Sequence, residues 1–442
     1  MKEYIFFWGC TIPNRLPFIE KSMRMVLEVL GVPFREVEGF TCCPEKYLVE
    51  TMSEETWYFT AARNLALAER EGADLLVACN GCYSTFRSAI SAFNRSSSLR
   101  EKISMKLSEI GLEFNFRSSV KHVVEVLYSQ IGCEVIERKV KSPLYEMRLA
   151  AHYGCQILKP SPVVRVDDPL RPVKLDRIIE ACGAQSVDYN TKLLCCGEAL
   201  ARSGMPDESL SAARLKLLEL DQLGADGIVV MCPACFLQFE TQQNLIQRQK
   251  EDLHIPVFYF TEIISLALGL DPREMGLDMH RISVQRFFDR WREKEALRAS
   301  LPDVFDYELM RVCTSCESCA NDCPVAQVDE TFHPHDVLRQ ILNGSLEDVI
   351  KGDEIWKCLE CGTCVELCPN NFGMMKVFKE AKRLAIRKGN VPAETVQAYK
   401  MFKDLGVLGK VRGRAREKLG LEPILTTGID ELSKLIEGEG EE

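Results

Sequence analysis

The sequence lacks any long apolar run, any excess of basic charge and any cluster of histidines. No stretch approaches the roughly 18 unbroken apolar residues of a membrane span. The most apolar candidate, Val257–Leu270, is short and contains Glu262. The net charge of −10 argues against nucleic acid as the main partner. Six scattered histidines are too few for a histidine-rich metal site.

A signal peptide and a nucleotide-binding fingerprint are also missing. The chain begins Met-Lys-Glu-Tyr-Ile-Phe-Phe-Trp-Gly-Cys, so a ligand-like cysteine stands at position 10, where a secretory segment would lie. The pattern Gly-x-Gly-x-x-Gly is absent, so flavin chemistry has to come from a partner protein. We therefore expect a cytoplasmic protein whose thiols stay reduced and serve as metal ligands.

Cysteine, in contrast, is abundant, with 20 among 442 residues. Ten of these cysteines form one pattern twice: a single cysteine, an adjacent pair, then C-x-x-C. Thirty-five residues separate the pair from the C-x-x-C in both copies. The single cysteine is separated from the pair by 31 residues in the first copy and by 39 in the second. This repetition indicates an internal duplication. The first set is Cys10, Cys42, Cys43, Cys79 and Cys82, and the second set is Cys155, Cys195, Cys196, Cys232 and Cys235.

Strand-like apolar runs lead into these cysteines, and helical patterns lie between the runs. The strand-like runs are Tyr4–Trp8, Ala73–Ala78, Leu149–Tyr153 and Gly227–Met231, and the helical patterns include Pro17–Leu30, Glu54–Glu71 and Leu210–Leu223. Such alternation predicts an α/β fold in which each half contains βαβ units around a parallel sheet. Residues that directly follow the strands meet at the carboxyl edge of the sheet. Each half is thus expected to gather five sulfurs into one pocket.

Five thiolates suit an iron–sulfur cluster better than zinc. Zinc normally takes four ligands in a closed tetrahedral site. An adjacent Cys-Cys pair is awkward for one zinc ion but natural for a multinuclear cluster, and soft thiolates favour iron–sulfur clusters and zinc. Structural zinc is the alternative for these two sets.

The third set of cysteines is the bacterial ferredoxin run C-x-x-C-x-x-C-x-x-x-C-P, which occurs twice. In this run three closely spaced cysteines hold one cubane cluster, and the fourth ligates the other cluster. The spacing assigns one [4Fe–4S] cluster to Cys313, Cys316, Cys319 and Cys368, and the other to Cys358, Cys361, Cys364 and Cys323.

Helical patterns at His335–Leu342, Leu346–Trp356 and Met375–Arg387 predict that this third region is mostly α-helical. The predicted domains are a first cysteine-rich half at 1–141, a second at 142–290, a helical ferredoxin-like domain at 291–425 and a tail at 426–442. Residues 94–117 are polar and weakly patterned, which indicates an insertion in the first half.

A few residues outside the ligand sets have two possible roles. Cys133 and Cys182 fit no repeat and are interpreted as small apolar groups. His152, three residues before Cys155, is either a core histidine or a proton or hydrogen-bond donor beside a cluster. Basic residues near the cluster loops are surface charges or line the pocket of an anionic substrate. These residues are Lys46, Arg87, Lys159 and Arg202.

The two five-cysteine sets resemble the cysteine-rich domain in the B subunit of heterodisulfide reductase, whose pattern is one Cys, then Cys-Cys-Gly, then C-x-x-C. The second half has Cys195-Cys196-Gly197, and the first half departs from the pattern with Cys42-Cys43-Pro44, which changes the turn but keeps every thiol. The ferredoxin-like part resembles the C subunit of the same enzyme. The whole chain thus looks like a natural fusion of the B and C subunits.

This resemblance implies a noncubane [4Fe–4S] cluster in each five-cysteine set. It also implies catalytic reduction of the mixed disulfide of coenzyme M and coenzyme B to two thiols, with electrons relayed through the two cubane clusters of the ferredoxin-like part. The partners implied are a flavin-containing protein like the A subunit of that enzyme and, in a larger complex, a hydrogenase or formate dehydrogenase. The substrate implied is a small anionic disulfide.

Two other functions compete with this interpretation. Related cysteine-rich modules occur in the iron–sulfur subunits of flavin-linked hydroxy-acid and glycerol-phosphate dehydrogenases and in thiol:fumarate reductases, where the chain would relay electrons. In many of those proteins the ferredoxin part comes first, whereas here it follows. A non-catalytic electron-transfer scaffold predicts one incomplete five-cysteine set, and both sets are complete.

Overall fold

The computed structural model describes residues 2–249, 253–302, 304–306, 309–310, 313, 318–342, 344–369, 372–408, 413–422 and 428–436. The chain divides into two compact units, Met1–Lys294 and Glu295–Glu442. Each unit is described separately below.

The first unit contains two four-stranded sheets in which every strand pair is parallel. Their strand orders are β2-β1-β3-β4 and β6-β5-β7-β8, so the second sheet repeats the topology of the first. The predicted duplicated α/β fold is therefore confirmed. The strands are β1 Tyr4–Phe7, β2 Phe34–Arg35, β3 Asp74–Val77, β4 Val120–His122, β5 Arg148–His152, β6 Gln185–Val187, β7 Gly227–Val230 and β8 Val257–Tyr259.

Helices connect these strands. In the first half they are α1 Thr11–Arg15, α2 Pro17–Leu30, a π-helix Lys46–Glu50, α3 Glu54–Arg70, α4 Asn80–Arg95, α5 Ser97–Ser108, α6 Val123–Val126, a π-helix Leu127–Ile131 and α7 Cys133–Lys139. In the second half they are α8 Lys174–Ala181, α9 Glu198–Arg202, α10 Pro206–Gln222, α11 Pro233–Arg248, α12 Phe260–Ala267, a 3₁₀ turn Leu277–Met279 and α13 Gln285–Ser300.

Helix α2 shows why the helical patterns form helices. It starts with Pro17, whose fixed φ suits the first turn, and ends at Gly31 with φ 70°. Its buried face includes Ile19, Met23 and Leu27. Together with the inward side chains of the sheets, these residues belong to one hydrophobic core that spans both halves. The shared core fixes the halves against each other and so positions both cysteine sets.

The stretch 94–117, predicted as a weakly patterned insertion, contains the helix α5. Ile103, Leu107 and Phe114 are buried there, so the stretch packs on the first half instead of standing apart from it. Among the helices in the described ranges, none has the length and apolarity needed to span a membrane.

In the part that the structure describes, the second unit consists of helices and connecting loops. The predicted helices at His335–Leu342 and Met375–Arg387 are confirmed, while the predicted helix Leu346–Trp356 divides into an α-helix and a 3₁₀ turn. The elements are α14 Ser318–Asn321, α15 Pro334–Leu342, α16 Leu346–Lys351, a 3₁₀ turn Glu354–Lys357, α17 Thr363–Glu366, α18 Met375–Arg387, α19 Ala393–Leu405, α20 Gly413–Lys418 and α21 Ile429–Ile436.

Candidate iron–sulfur sites

Four of the cysteines lie directly beyond the strands of the two sheets. Cys10 and Cys155 each follow a glycine with positive φ, which is 72° at Gly9 and 74° at Gly154. A Cβ atom at Gly9 would lie 3.1 Å from the sulfur of Cys82. In the second half, a Cβ atom at Gly154 would lie 3.4 Å from the sulfur of Cys235, which is the counterpart of Cys82. A glycine is therefore needed before the first cysteine of each set, both for the turn and for the close approach of a thiol.

The C-x-x-C cysteines lie at the start of helices. Cys79 is the N-cap of α4, and Cys232 is the N-cap of α11. The second cysteine of each motif, Cys82 or Cys235, lies in the first turn of the same helix. The positive end of the helix dipole stabilises negative charge on a thiolate ligand at this position. Neighbouring thiols and burial act in the opposite direction and raise the pKa of Cys79, Cys82 and Cys235.

The thiols of each set lie close together. The sulfurs of Cys10 and Cys42 are 3.7 Å apart in the first set, and those of Cys155 and Cys195 are 4.0 Å apart in the second. Further thiol–thiol contacts continue each chain of sulfurs. They join Cys42 to Cys43, Cys43 to Cys82 and Cys82 to Cys79 in the first half, and Cys195 to Cys196, Cys196 to Cys235 and Cys235 to Cys232 in the second.

The two sets meet at one point, where the thiols of Cys79 and Cys232 lie close enough to shift each other's pKa. These are equivalent residues, since each is the first cysteine of its C-x-x-C. The buried Tyr259 lies beneath the contact, and its hydroxyl donates to the carbonyls of Ala78 and Met231, the residues just before the two cysteines. Ten sulfurs thus form a continuous array across the two halves.

Contacts within the array favour thiolates at some positions. Hydrogen bonds from Cys42 and Cys82 lower the pKa of Cys43 to about 5 although the residue is buried. Hydrogen bonds from Cys235 and Cys79 likewise lower the pKa of Cys232. The donor set is soft, partly ionised and too large for one tetrahedral zinc ion, so it fits multinuclear iron–sulfur clusters.

Each set lines a cavity that residues of the opposite half help to close. The cavity of the first set has a volume of about 640 Å³, including space open to solvent, and is also lined by Arg202 and Pro233 from the second half. The cavity of the second set measures about 450 Å³ in the same way and is also lined by Tyr47 and Asn80 from the first half. Glu45 lines both cavities, so they lie side by side.

A charged cluster lies between the two cavities. Arg202 donates to the carboxylates of Glu45, at 3.0 Å, and of Glu198, and the Tyr47 hydroxyl donates to Glu198 at 3.1 Å. Burial raises the pKa of Glu45 to about 7, and the positive charge of Arg202 opposes this effect. The cluster brings an ionisable carboxyl group and a cation to the border of both cysteine sets.

The loops after the adjacent cysteine pairs differ between the halves. Gly197 has φ 88°, and a Cβ there would lie 2.9 Å from the Ala212 Cβ and 3.0 Å from the Ser209 carbonyl oxygen. Pro44 at the matching position cannot adopt that φ. In the first half the next helix accordingly begins one residue later and is a π-helix, Lys46–Glu50, where the second half has α9. The departure from Cys-Cys-Gly thus changes the turn, as predicted.

Of the four basic residues considered for the substrate pocket, which all lie in the described ranges, only Arg202 is found in the lining of the two cysteine cavities. Arg202 lines the first cavity, whereas Lys46 donates to Ser88 at 2.8 Å and Arg87 donates to the Val163 carbonyl at 3.1 Å. Lys159 is exposed. Of the two cysteines outside the sets, Cys182 is fully buried and Cys133 is partly buried, which agrees with their interpretation as small apolar groups.

Sequence reasoning missed several residues of this site: Glu45, Tyr47, Gln156, Glu198 and the buried Lys216. One signal was available for the two glutamates. Glu45 and Glu198 both stand two residues after the cysteine pair, so the duplication itself marks them as equivalent. The pairing of Glu198 with Arg202 is an i,i+4 contact within α9, whereas the pairing of Glu45 with Arg202 depends on how the halves pack and has no local signal.

In the second unit, Cys323, Cys358, Cys361 and Cys364 line one cavity of about 460 Å³. These four are the set that the ferredoxin spacing assigns to one cubane cluster. The Cys364 sulfur accepts from the Met375 backbone N–H at 3.1 Å, an N–H···S contact typical of cluster ligands. Of the other predicted set, Cys313 and Cys368 are described, Cys316 lies outside the described residues, and the side chain of Cys319 is likewise outside them.

The fold and these sites define a class of iron–sulfur protein, and comparison with known families agrees. A cysteine-rich domain family matches residues 4–87 and 149–240, one match within each half of the first unit. A 4Fe-4S dicluster domain family matches residues 309–372. Together these matches indicate that the chain binds iron–sulfur clusters.

Individual relatives indicate which family of iron–sulfur proteins the chain resembles. Over 284 residues, the chain is 36% identical to the B subunit of the ferredoxin:CoB-CoM heterodisulfide reductase of Methanosarcina mazei, a match that covers 64% of this chain and 94% of that protein. The later part is 27% identical over 155 residues to the iron-sulfur C subunit of the CoB–CoM heterodisulfide reductase of Methanopyrus kandleri, covering 32% of this chain and 80% of that protein.

A third relative carries a different name. It is the 8-methylmenaquinol:fumarate reductase membrane anchor subunit of Wolinella succinogenes, which is 29% identical and covers 64% of this chain and 99% of that protein. The chain belongs to the family of heterodisulfide reductase B subunits, and its later part is similar to the C subunits of that enzyme. This membership implies a redox role.

Proposed function

We propose that the chain is the iron–sulfur catalytic subunit of a heterodisulfide reductase, which reduces the mixed disulfide of coenzyme M and coenzyme B to two thiols. The observation that carries the proposal is the contact between Cys79 and Cys232, which brings the two complete cysteine sets side by side. Cleavage of one S–S bond takes two electrons and two protons, and each of the two sulfurs leaves as a thiol. Two adjacent one-electron sites suit that stoichiometry.

The proposed ligands are the predicted ones. Each five-cysteine set holds a noncubane [4Fe–4S] cluster, and each set of four in the second unit holds a cubane [4Fe–4S] cluster. When bound, the noncubane clusters supply single electrons and the cubane pair supplies the path by which electrons arrive. The convergence of four thiols on one cavity in the second unit supports the cubane assignment.

The chain's own residues contribute the shape and the polarity of the substrate site. The two cavities share Glu45, Cys79, Gly81 and Ala234 at their border, which is where we place the disulfide. Gly81 keeps this border open, because a Cβ there would lie 3.0 Å from the Gln156 side-chain oxygen and 3.7 Å from the Cys79 sulfur. Arg202 supplies a positive charge beside the border for an anionic substrate.

Partners complete the proposal. Electrons come from a flavin-containing protein like the A subunit of heterodisulfide reductase, and a hydrogenase or formate dehydrogenase in a larger complex is their source. The names of the two methanogen relatives, which include the coenzyme B–coenzyme M heterodisulfide, support this substrate. The relative from Wolinella succinogenes supports the alternative in which the chain relays electrons in another flavin-linked oxidoreductase.

One experiment separates these functions. The full chain is purified without oxygen, its iron and sulfide are counted, and disulfide reduction is measured with a reduced viologen dye as the electron donor. We expect about sixteen irons per chain and reduction of the coenzyme disulfide. About eight irons would contradict four clusters. Full iron content without activity on any coenzyme disulfide would instead favour the relay function.

A further inference from the structure

The two halves differ in a residue that lies beside the thiols. Phe7 and His152 each stand three residues before the first cysteine of their set, at the ends of β1 and β5. Phe7 packs edge-on against Phe86 with ring centroids 5.0 Å apart. His152 packs edge-on against Phe239, the counterpart of Phe86, with ring centroids 4.9 Å apart. An imidazole therefore takes, in the second half, the place that an apolar ring has in the first.

The imidazole of His152 lies against the second cysteine set. One of its nitrogens and the sulfurs of Cys196 and Cys235 all lie within 4.8 Å of one another. His152 is fully buried, and neither ring nitrogen has a hydrogen-bond partner within the described part of the chain. A buried polar group without a partner is costly and rare, so these nitrogens call for a ligand or an acceptor. The sulfurs of Cys196 and Cys235, within 4.8 Å of one ring nitrogen, are the acceptors that lie beside the ring.

An imidazole carries at least one N–H in both its neutral and its protonated form. A donor is therefore present at any pH at which the protein is folded. The contact with sulfur thus needs no change of protonation. Nothing equivalent exists at Phe7, whose ring has no N–H.

We propose that His152 donates an N–H···S hydrogen bond to the sulfur of Cys196 or Cys235 and thereby makes the second half the more easily reduced of the two. Reduction adds negative charge to a cluster and its sulfurs, and an N–H donor offsets that charge; hydrogen bonds to the sulfurs are one of the established determinants of cluster potential. The inference rests on the proposed function only in requiring a cluster in each half. It assigns to the second half the first of the two electrons that cleavage of a disulfide needs.

The test compares the full-length wild-type chain with two variants, after anaerobic purification and an iron count. His152→Phe copies the first half into the second, and Phe7→Leu is the matched control, since it changes an equivalent ring without removing an N–H. A redox titration followed by EPR measures the midpoints of both noncubane clusters. We expect H152F to lower one midpoint by about 59 mV, which is a tenfold change in a one-electron equilibrium. F7L is expected to leave that midpoint unchanged.

A second measurement needs no variant of the site. In wild-type chain labelled with ¹⁵N-histidine, pulsed EPR is expected to show a weak nitrogen coupling to a reduced cluster, as a hydrogen bond gives. A strong coupling, which indicates direct iron–nitrogen ligation, or no coupling at all would overturn the proposal. So would intact clusters whose midpoints are the same in wild type and H152F, or an equal shift in F7L. Missing iron in the wild type counts against the proposed function instead.

Discussion

The two halves of the first unit share a ligand framework but differ in what surrounds it. Equivalent glycines precede Cys10 and Cys155, and equivalent helices begin at Cys79 and Cys232. Around this framework the second half has a histidine where the first has Phe7. The duplication has thus preserved the geometry that holds the sulfurs, while their polar environment has diverged.

A pair of cations shows the same divergence. Arg63 donates to the Gly39 carbonyl at 2.7 Å, and its counterpart Lys216 donates to the Lys192 carbonyl at 3.4 Å, in the loop before each cysteine pair. Arg63 is half-buried, but Lys216 is only 1% exposed, and burial lowers its pKa to about 8. The side chain that makes this backbone contact is therefore deeply buried only in the second half. Like His152, Lys216 makes the surroundings of the second cysteine set more polar than those of the first.

The largest expected effect comes from removing one equivalent cysteine ligand from either five-cysteine set. We predict that Cys43→Ala and Cys196→Ala each remove about four of roughly sixteen irons. Each is also expected to lower disulfide reduction at least about a hundredfold, because both electrons are needed for one bond. Iron counts, Mössbauer spectra and the viologen assay measure these effects. Retention of activity by either variant would show that one set is dispensable, as the scaffold and relay functions allow.

The second prediction concerns the turn that distinguishes the two cysteine pairs. Gly197→Ala places a Cβ 2.9 Å from Ala212 at a φ of 88°, whereas Gly204→Ala, at φ 81°, meets nothing within 4 Å. G204A is expected to cost about 1 kcal/mol of unfolding free energy from backbone strain alone. G197A is expected to cost about 2–4 kcal/mol and to lower the iron content of the second set. Equal destabilisation of the two variants, measured by anaerobic thermal melting, would contradict the proposed crowding at Gly197.

The sequence pattern was sufficient for much of this architecture. Strand-like runs that end at cysteines predicted β1, β3, β5 and β7 to within a residue or two, because buried parallel strands are short and continuously apolar. The spacing of the ferredoxin run likewise predicted which four thiols share a cavity in the second unit. Local periodicity and ligand spacing carry such information directly.

The rest could not be predicted, because it depends on contacts between distant parts of the chain. Helix α5 was missed since Ile103 and Leu107 form only a short apolar stripe in a polar stretch. The approach of Cys79 to Cys232 and the pairing of Arg202 with Glu45 both arise from the packing of one half on the other. No residue type or spacing within one half encodes that packing.

A smaller effect is expected from the ion pair that joins the halves. Arg202→Met leaves the largely buried carboxylates of Glu45 and Glu198 without their cation, at a cost of about 1–3 kcal/mol. Arg177→Met, which removes the exposed pair of Arg177 with Glu180, is the control and should cost less than about 1 kcal/mol.

The pH dependence of the Arg202 variant adds a check with a defined sign. Burial raises the pKa of Glu45 to about 7, so this carboxyl is ionised above that pH and neutral below it. The attraction between Glu45 and Arg202 is therefore present at pH 8 and is lost as the pH falls through 7. Accordingly, the melting temperatures of wild type and R202M should differ more at pH 8 than at pH 6. A difference that grows on acidification would show that Glu45 is not the titrating partner.

The smallest expected effects separate the ten framework cysteines from the two outside the sets. Cys182→Ala removes a fully buried sulfur and is expected to cost about 1 kcal/mol, while Cys133→Ala, at a partly buried position, should stay within about 0.5 kcal/mol. Neither variant should change the iron content or the viologen-linked activity, since neither thiol belongs to the array of sulfurs. Loss of iron in C182A or C133A beyond that in wild type would mean that the array extends further than the duplicated pattern indicates.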